Sequence, residues 1–189
     1  MRLGIYGGSF DPPHLGHLLP IIDATETLGL TAVRFVPAAS QPLKPGQAMA
    51  SPAHRLAMTE RLAAQYPGFS ADGAEVERAG LSYMVDTLSQ MAASNPSAEL
   101  VLLLGADAYA LFDQWREPDR IRQMATIAVL ARGGQGSPVP QRAGVHMLES
   151  RRVDISSTEL RARIAMGRSI RGFVPDAVAE YIAEHRLYE

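Results

Sequence analysis

Residues 2–17 read Arg2-Leu-Gly-Ile-Tyr-Gly-Gly-Ser-Phe-Asp-Pro-Pro-His-Leu-Gly-His17, and their parsing decides the fold. The apolar run 2–6 is too short for a helix and stops at Gly7-Gly8, so it reads as a buried strand. From Leu15 the apolar spacing becomes helical over 15–28, and Gly29 closes that helix because it takes the left-handed terminal position without steric cost. A strand, a glycine turn and a helix make half of a βαβ unit.

The alternation returns along the chain. Strands are expected over 32–37, 74–77, 99–104, 126–131 and 145–148, and helices over 51–66, 82–93, 156–166 and 175–185. Ser51-Pro52 supplies a hydroxyl cap followed by a helix-compatible proline, and Pro67-Gly68 stops the helix that follows. Ser156-Ser-Thr-Glu159 fits the capping box. In the last helix Ala179, Ile182 and Ala183 are expected on one core-facing side. Gly/Pro-rich loops occupy 38–50 and 132–144. Strands that alternate with helices predict an α/β, Rossmann-like doubly wound, mainly parallel sheet with helices on both faces. Such sheets bind ligands outside the carboxyl ends of their strands, near the reversal of strand order.

The chain has 189 residues, which at ~150 per domain predicts one domain over 1–189. With 47% apolar and 20% charged residues it can build a core, and its net charge of −2 argues against coating nucleic acid or an anionic membrane. The chain contains no cysteine, which excludes disulfide scaffolds, thiolate metal clusters and a thiol nucleophile, and suits a reducing compartment. The longest strongly apolar run, 100–104, is far short of the ~20 residues of a membrane helix, and 3–6 is too short for a signal-peptide core of ~7–15 residues. A cytoplasmic protein is expected; self-association into a homo-oligomer stays open.

Two stretches at strand ends carry candidate chemistry. In the first, Gly7-Gly8 lets the backbone approach a ligand closely, loop N–H groups and the following helix start form an anion site, and His14 and His17, three apart, project from one face of the first turn. The pattern is neither GxGxxG nor the P-loop. A zinc reading, with Asp11 as a third ligand to the two imidazoles, competes with phosphate contact. The second stretch is Ile155-Ser-Ser-Thr-Glu-Leu-Arg161: free N–H groups and hydroxyls at a helix start, with Arg161 as a bidentate cation.

The first stretch resembles the G-x-F-D-P-x-H-x-G-H signature of the nucleotidylyltransferase superfamily, and the second resembles its I-S-[ST]-T-x-x-R. Within that superfamily the whole chain is similar to bacterial nicotinate-nucleotide adenylyltransferases. Ser82-Tyr-Met-Val-Asp-Thr-Leu88 resembles the family's S-Y-T-x-x-T-L, Gly105-Ala-Asp107 with Trp115 its G-x-D…W, and 174–188 its V-P-x-x-V-x-x-Y-I…L-Y. The resemblance implies transfer of AMP from ATP to nicotinate mononucleotide, giving deamido-NAD and pyrophosphate in NAD biosynthesis, with Mg²⁺ accompanying ATP. It implies that Gly8, Ser9, Phe10, His14 and His17 meet the triphosphate, His17 with the larger transition-state role. Ile155, Ser156, Ser157, Thr158 and Arg161 would grip the β- and γ-phosphates, Gly105 and Asp107 the ribose, and Tyr83, Met84 and Trp115 the nicotinate nucleotide. Lys44 stands where a family cation reaches the triphosphate, although its P-P-H-[KR] context is degenerate here. Met84 replaces the usual Thr, which leaves acid-over-amide recognition to backbone N–H groups, and Arg116 stands where a second aromatic is frequent. Other acceptors, nicotinamide mononucleotide or phosphopantetheine, fit the same chemistry, as a non-catalytic ATP-binding module fits the same motifs.

Overall fold

A computed structural model describes residues 1–43, 49–132 and 144–189. Its elements are β1 (Arg2–Gly8), α1 (Leu15–Leu28), β2 (Ala32–Pro37), α2 (Pro52–Ala63), β3 (Phe69–Ala71), α3 (Ala74–Arg78), α4 (Met84–Ser94) and β4 (Glu99–Gly105). There follow α5 (Ala106–Ala110), a 3-10 turn (Phe112–Gln114), α6 (Pro118–Met124), β5 (Thr126–Arg132), β6 (Val145–Ser150), α7 (Ser157–Ala165) and α8 (Asp176–Glu184). Six strands form one sheet in the order β3-β2-β1-β4-β5-β6, every neighbouring pair parallel. This is the expected α/β, Rossmann-like doubly wound arrangement, and the strand order reverses between β1 and β4.

Period-two alternation along the strands sends side chains to two cores. Leu100, Leu102 and Leu104 of β4 join Leu3 and Ile5 on the face covered by Val85 and Leu88 of α4 and Ile121 of α6. Val101 and Leu103 point the other way, into a cluster with Leu18 and Ile21 of α1, Met58 and Leu62 of α2, and Val178 of α8. On that second face β1 presents Gly4, because a Cβ there would lie 2.9 Å from Leu30 Cδ1 and 3.0 Å from Val33 Cγ2. The absent side chain lets α1 and the following turn pack directly on the strand.

The expected helix caps form. Gly29 sits at φ +60°, the Ser51 hydroxyl accepts from the His54 amide (3.3 Å), and the Ser156 hydroxyl accepts from the Glu159 amide (3.1 Å).

Several expectations are corrected. Residues 74–77 belong to helix α3; the edge strand is β3, directly after Gly68, paired Val33 to Phe69 along β2. The Asp72 carboxylate accepts from the Ala74 amide (2.9 Å), which starts a helix in a segment of strong helix formers. Helix α2 ends at Ala63, where 3-10-type bonds from Gln65 and Tyr66 tighten the chain ahead of Pro67. Helix α4 starts at Met84 because Ser82 is engaged elsewhere: its hydroxyl accepts from the Ala39 amide (2.9 Å) and its own amide donates to the Ser40 carbonyl (2.9 Å). Helices α5 and α6 are additions to the expected set, although Pro118 at the first turn of α6 is a helix-start signal. Strand β6 runs on to Ser150. In α8, Ala183 is exposed, and Val178 and Tyr181 take the core side with Ala179 and Ile182. Lys44 and residues 133–143, which make up most of the expected 132–144 loop, lie outside the described residues. No helix among the described residues is long and apolar enough to cross a membrane.

Candidate active site

The carboxyl ends of β1 and β4 lie side by side at the reversal of strand order, and two cavities open there. The first, of about 470 Å³, is walled by Gly7 and Gly8 from β1, Gly105 and Asp107 from the end of β4, and Tyr83 and Met84 at the start of α4. Trp115, Arg116, Glu75 and His17 complete it. The second, of about 540 Å³, is polar and cationic: Ser9, Asp11, Arg55, Ser157, Thr158 and Arg161 line it. Both touch Ala38 and Gln41, so the strand end Gly8-Ser9 separates two adjoining chambers.

The loop between them is held by its carbonyls. Arg55 Nη1 donates to the Ser9 carbonyl (2.8 Å), Arg161 Nη1 to that of Asp11 (2.7 Å), and the Ser157 hydroxyl to that of Pro12 (2.8 Å), while the Ala38 amide takes Gly8 O (2.9 Å). With the acceptors drawn into the protein, the Ser9 and Phe10 amides donate to no acceptor among the described residues. That is the construction of an anion nest. The first turn of α7 adds the open donors of a helix N-terminus at Ser157 and Thr158. Phe10 takes the left-handed backbone region at φ +50°, a strained conformation for a bulky residue, with its ring fully buried against Gly8. The Asp11–Pro12 peptide is cis.

Sequence reasoning misses Arg55. It is 1% exposed, and besides Ser9 it donates to the carbonyls of Ala38 (2.6 Å), Ala39 (2.9 Å) and Ala50 (3.2 Å). Burial draws its pKa below the ordinary arginine value, and the nearby Asp11 charge opposes that. A signal is available, since Arg55 occupies the buried stripe of α2 with Met58, Thr59 and Leu62. A cation on an apolar face needs buried acceptors, and the bends on either side of the loop provide them.

The imidazoles are ordered by the backbone. The His14 amide donates to His17 Nδ1 (3.2 Å), so neutral His17 carries its proton on Nε2. The two rings lie 3.8 Å apart, and Phe10 packs edge-on to His17 at 5.2 Å. Gly16 is required between them, because a Cβ there would sit 2.9 Å from His14 Cε1 and Nδ1. Of the expected site residues, Gly8, His17, Gly105, Asp107, Tyr83, Met84 and Trp115 line the first cavity, and Ser9, Ser157, Thr158 and Arg161 the second. Phe10, His14, Ile155 and Ser156 line neither: Phe10 and His14 are buried beneath the loop, Ile155 packs against the core, and Ser156 caps α7. Trp115 packs on Phe112 at 5.3 Å while lining the first cavity.

Asp11 is no third ligand to the imidazoles. Its oxygens accept from the Met49 amide (2.8 Å), the Ala50 amide (3.2 Å) and the Tyr188 hydroxyl (2.7 Å). Among the described residues no group of three His, Cys, Asp or Glu is placed to hold a metal.

Residues 5–163 match a family model described as Cytidylyltransferase-like. Over its whole length the chain is 47% identical to a Gemmatimonas aurantiaca protein named "Probable nicotinate-nucleotide adenylyltransferase", covering 92% of it. It is 44% identical to a Thermus thermophilus protein of the same name, with both chains covered completely. The chain belongs to the nicotinate-nucleotide adenylyltransferase family. Two solved structures of Plasmodium falciparum nicotinic acid mononucleotide adenylyltransferase, complexed with APC and with NaAD, superpose on it with TM-scores of 0.75. They are 16% and 18% identical, cover 99% of this chain and 96% and 97% of their own, and establish the fold shared with the family.

In this family member the first cavity contains a buried acid, Glu75, 4% exposed and 2.5 Å from the Thr87 hydroxyl of α4. Burial raises its pKa above the ordinary glutamate value; hydrogen bonds from Thr87 and Ser82 and the charge of Arg78 oppose the rise, and Asp72 adds to it. Because the folded state favours the proton, that contribution to stability is fully present below the ordinary range near pH ~4.3 and is lost as pH rises through the folded-state pKa. Glutamine imitates the protonated acid. The Glu75→Gln variant is therefore expected to gain thermal stability relative to the parent between about pH 5 and about pH 8. An equal difference between variant and parent in melting midpoint at both values contradicts this.

Proposed function

We propose that the chain, acting over residues 1–189 as one nucleotidylyltransferase domain, transfers AMP from ATP to nicotinate mononucleotide, releasing pyrophosphate and making deamido-NAD for NAD biosynthesis. The observation that carries this is the pair of adjoining chambers, one aromatic and one cationic, with the Gly8-Ser9 backbone between them and His17 on the wall of the first. The triphosphate belongs in the cationic chamber, against the Ser9 amide, the first turn of α7 and the guanidinium of Arg161. The acceptor belongs in the aromatic chamber, with its ring on Trp115 and its ribose near Asp107 and Gly105.

The chemistry needs little beyond that. The acceptor's phosphate monoester has its second pKa at ~6 and is largely dianionic at neutral pH, so no general base is required. The site must hold two anions in line and neutralise charge that grows on the α-phosphate and the departing pyrophosphate. His17 presents its Nε2–H to that charge. His14 positions it, through the amide that fixes the tautomer and the ring that packs alongside. Mg²⁺, which the family resemblance implies with ATP, would offset phosphate charge there. The family resemblance implies a further cation on the same triphosphate from Lys44, which lies outside the described residues. ATP and the mononucleotide are soluble metabolites, and the reaction belongs to the cytoplasm.

Selection of the acid acceptor rests on α4 and its neighbour Arg116. Tyr83 caps α4 without a side-chain hydrogen bond, which leaves the first N–H groups of the helix open at the cavity. Met84 brings no hydroxyl, and its methyl covers Gly7 on the wall. Arg116, shared with Asp86 (3.7 Å) and Glu117 (3.5 Å), lies over the Tyr83 ring at 4.9 Å and lines the cavity, and its guanidinium favours a ring carboxylate over an amide.

Pyrophosphate release with ATP and Mg²⁺, compared across nicotinate mononucleotide, nicotinamide mononucleotide and phosphopantetheine, is expected to favour the first strongly. Preference for another acceptor moves the substrate, and silence with all three removes the enzymatic reading. In the same assay His17→Ala, purified folded, is expected to lose ~10²–10³ in turnover, as removal of a single transition-state donor does. Near-parental turnover would sink the role given to His17.

A further inference from the structure

Tyr188 lies at the far end of the chain from the phosphate loop, yet its hydroxyl donates to Asp11 Oδ1 at 2.7 Å. Asp11 is 2% exposed, and its carboxylate gathers three segments: its own loop, the Met49 and Ala50 amides that precede α2, and Tyr188. The backbone of the same residue is gripped by Arg161, whose Nη1 donates to the Asp11 carbonyl and lies 3.9 Å from Oδ2. Two bulky residues in this assembly take the left-handed backbone region that costs such side chains energy, Phe10 at φ +50° and Tyr188 at φ +70°. Strain of this kind persists only where the surroundings over-determine it, and the bond from Tyr188 to Asp11, the neighbour of Phe10, ties the two strained segments together. Burial and the Asp11 carboxylate together push ionisation of Tyr188 upward, so its hydroxyl remains a donor. The C-terminal segment meets the loop at a second point, where the Leu15 amide at the start of α1 donates to the Phe173 carbonyl (2.9 Å).

We infer that Tyr188 is a positioning residue for the triphosphate: through Asp11 it holds the Ser9–Asp11 turn, and with it the Ser9 amide, in the geometry that receives the phosphates. This rests on the adenylyl-transfer reading above. Neither Asp11 nor Tyr188 lines the aromatic chamber, so loss of the bond disturbs ATP and leaves the acceptor site in place.

The test is Tyr188→Phe, which keeps the ring and removes the donor. A charge-assisted hydrogen bond of this kind corresponds to about a tenfold fall in kcat/KM for ATP, with KM for nicotinate mononucleotide unchanged. A merely structural role would lower the fraction of active protein without separating the two substrates. Asp11→Asn and the double variant close the cycle: the two changes are expected to be non-additive. Unchanged ATP parameters, equal effects on both substrates, or additivity would overturn the inference. The dissociation constant for a non-hydrolysable ATP analogue, measured on parent and variant, reads the same loop without turnover. If the parent transfers AMP to no acceptor, the adenylyl-transfer reading fails, while weaker analogue binding by Tyr188→Phe still supports the positioning role and equal binding overturns it.

Discussion

The site depends on where four carbonyls point. Between β1 and α1 the chain must turn sharply while leaving its amide donors unspent, and it does so because Ala38, Arg55, Arg161 and Ser157 bind the carbonyls of Gly8, Ser9, Asp11 and Pro12 from behind. A loop held only by its own amides would have consumed the donors an anion needs. Buried carbonyls left unbound would cost about 1–3 kcal/mol each, which is why a fully buried guanidinium is tolerated beneath this loop. Its charge is distributed over four carbonyl dipoles, three of them outside the loop, and its field reaches the cationic chamber it helps to line.

The remaining elements serve that loop. Reversal of strand order between β1 and β4 opens the space at their carboxyl ends, and the absence of side chains at Gly7, Gly8 and Gly105 keeps it open. Helix α7, which follows the edge strand β6, returns across the sheet to deliver Ser157 and Arg161, so the edge farthest from α2 supplies half of the clamp and α2 the other half. Net charge is a poor guide to such a site. The chain carries −2 overall, yet the cationic chamber has Arg55 and Arg161 within its walls. Local arrangement of a few groups decides affinity for a small anion, where a polyanion would need a whole basic face.

Much of this is legible in the residues. Bounds for α1 and β2 match because glycine, proline and apolar period agree there, and both stretches read as candidate phosphate sites follow strands, β1 and β6. The segment 74–77 misleads because Ala74-Glu-Val-Glu77 offers an alternating pattern that α3 satisfies equally well, and only the Asp72 cap and the pairing of Phe69 with Val33 distinguish them. The contacts that reveal Arg55, Glu75 and Tyr188, to Ser9, Thr87 and Asp11, join residues 46, 12 and 177 apart in sequence, and a reading of local pattern does not pair them. Ser157 and Arg161 illustrate a subtler gap. Their motif is recognisable, but that each also holds a loop carbonyl is a tertiary fact.

The most direct measurement is a crystal structure of the chain with a non-hydrolysable ATP analogue and nicotinate mononucleotide bound together. The account predicts the triphosphate on the Ser9 amide and the first turn of α7, the pyridine ring on Trp115, and the carbonyls of Gly8, Ser9, Asp11 and Pro12 still bound to their present donors. A triphosphate seated elsewhere, or a loop that has released Arg55 and Arg161 to reach it, would contradict the claim that the nest is built before the nucleotide arrives.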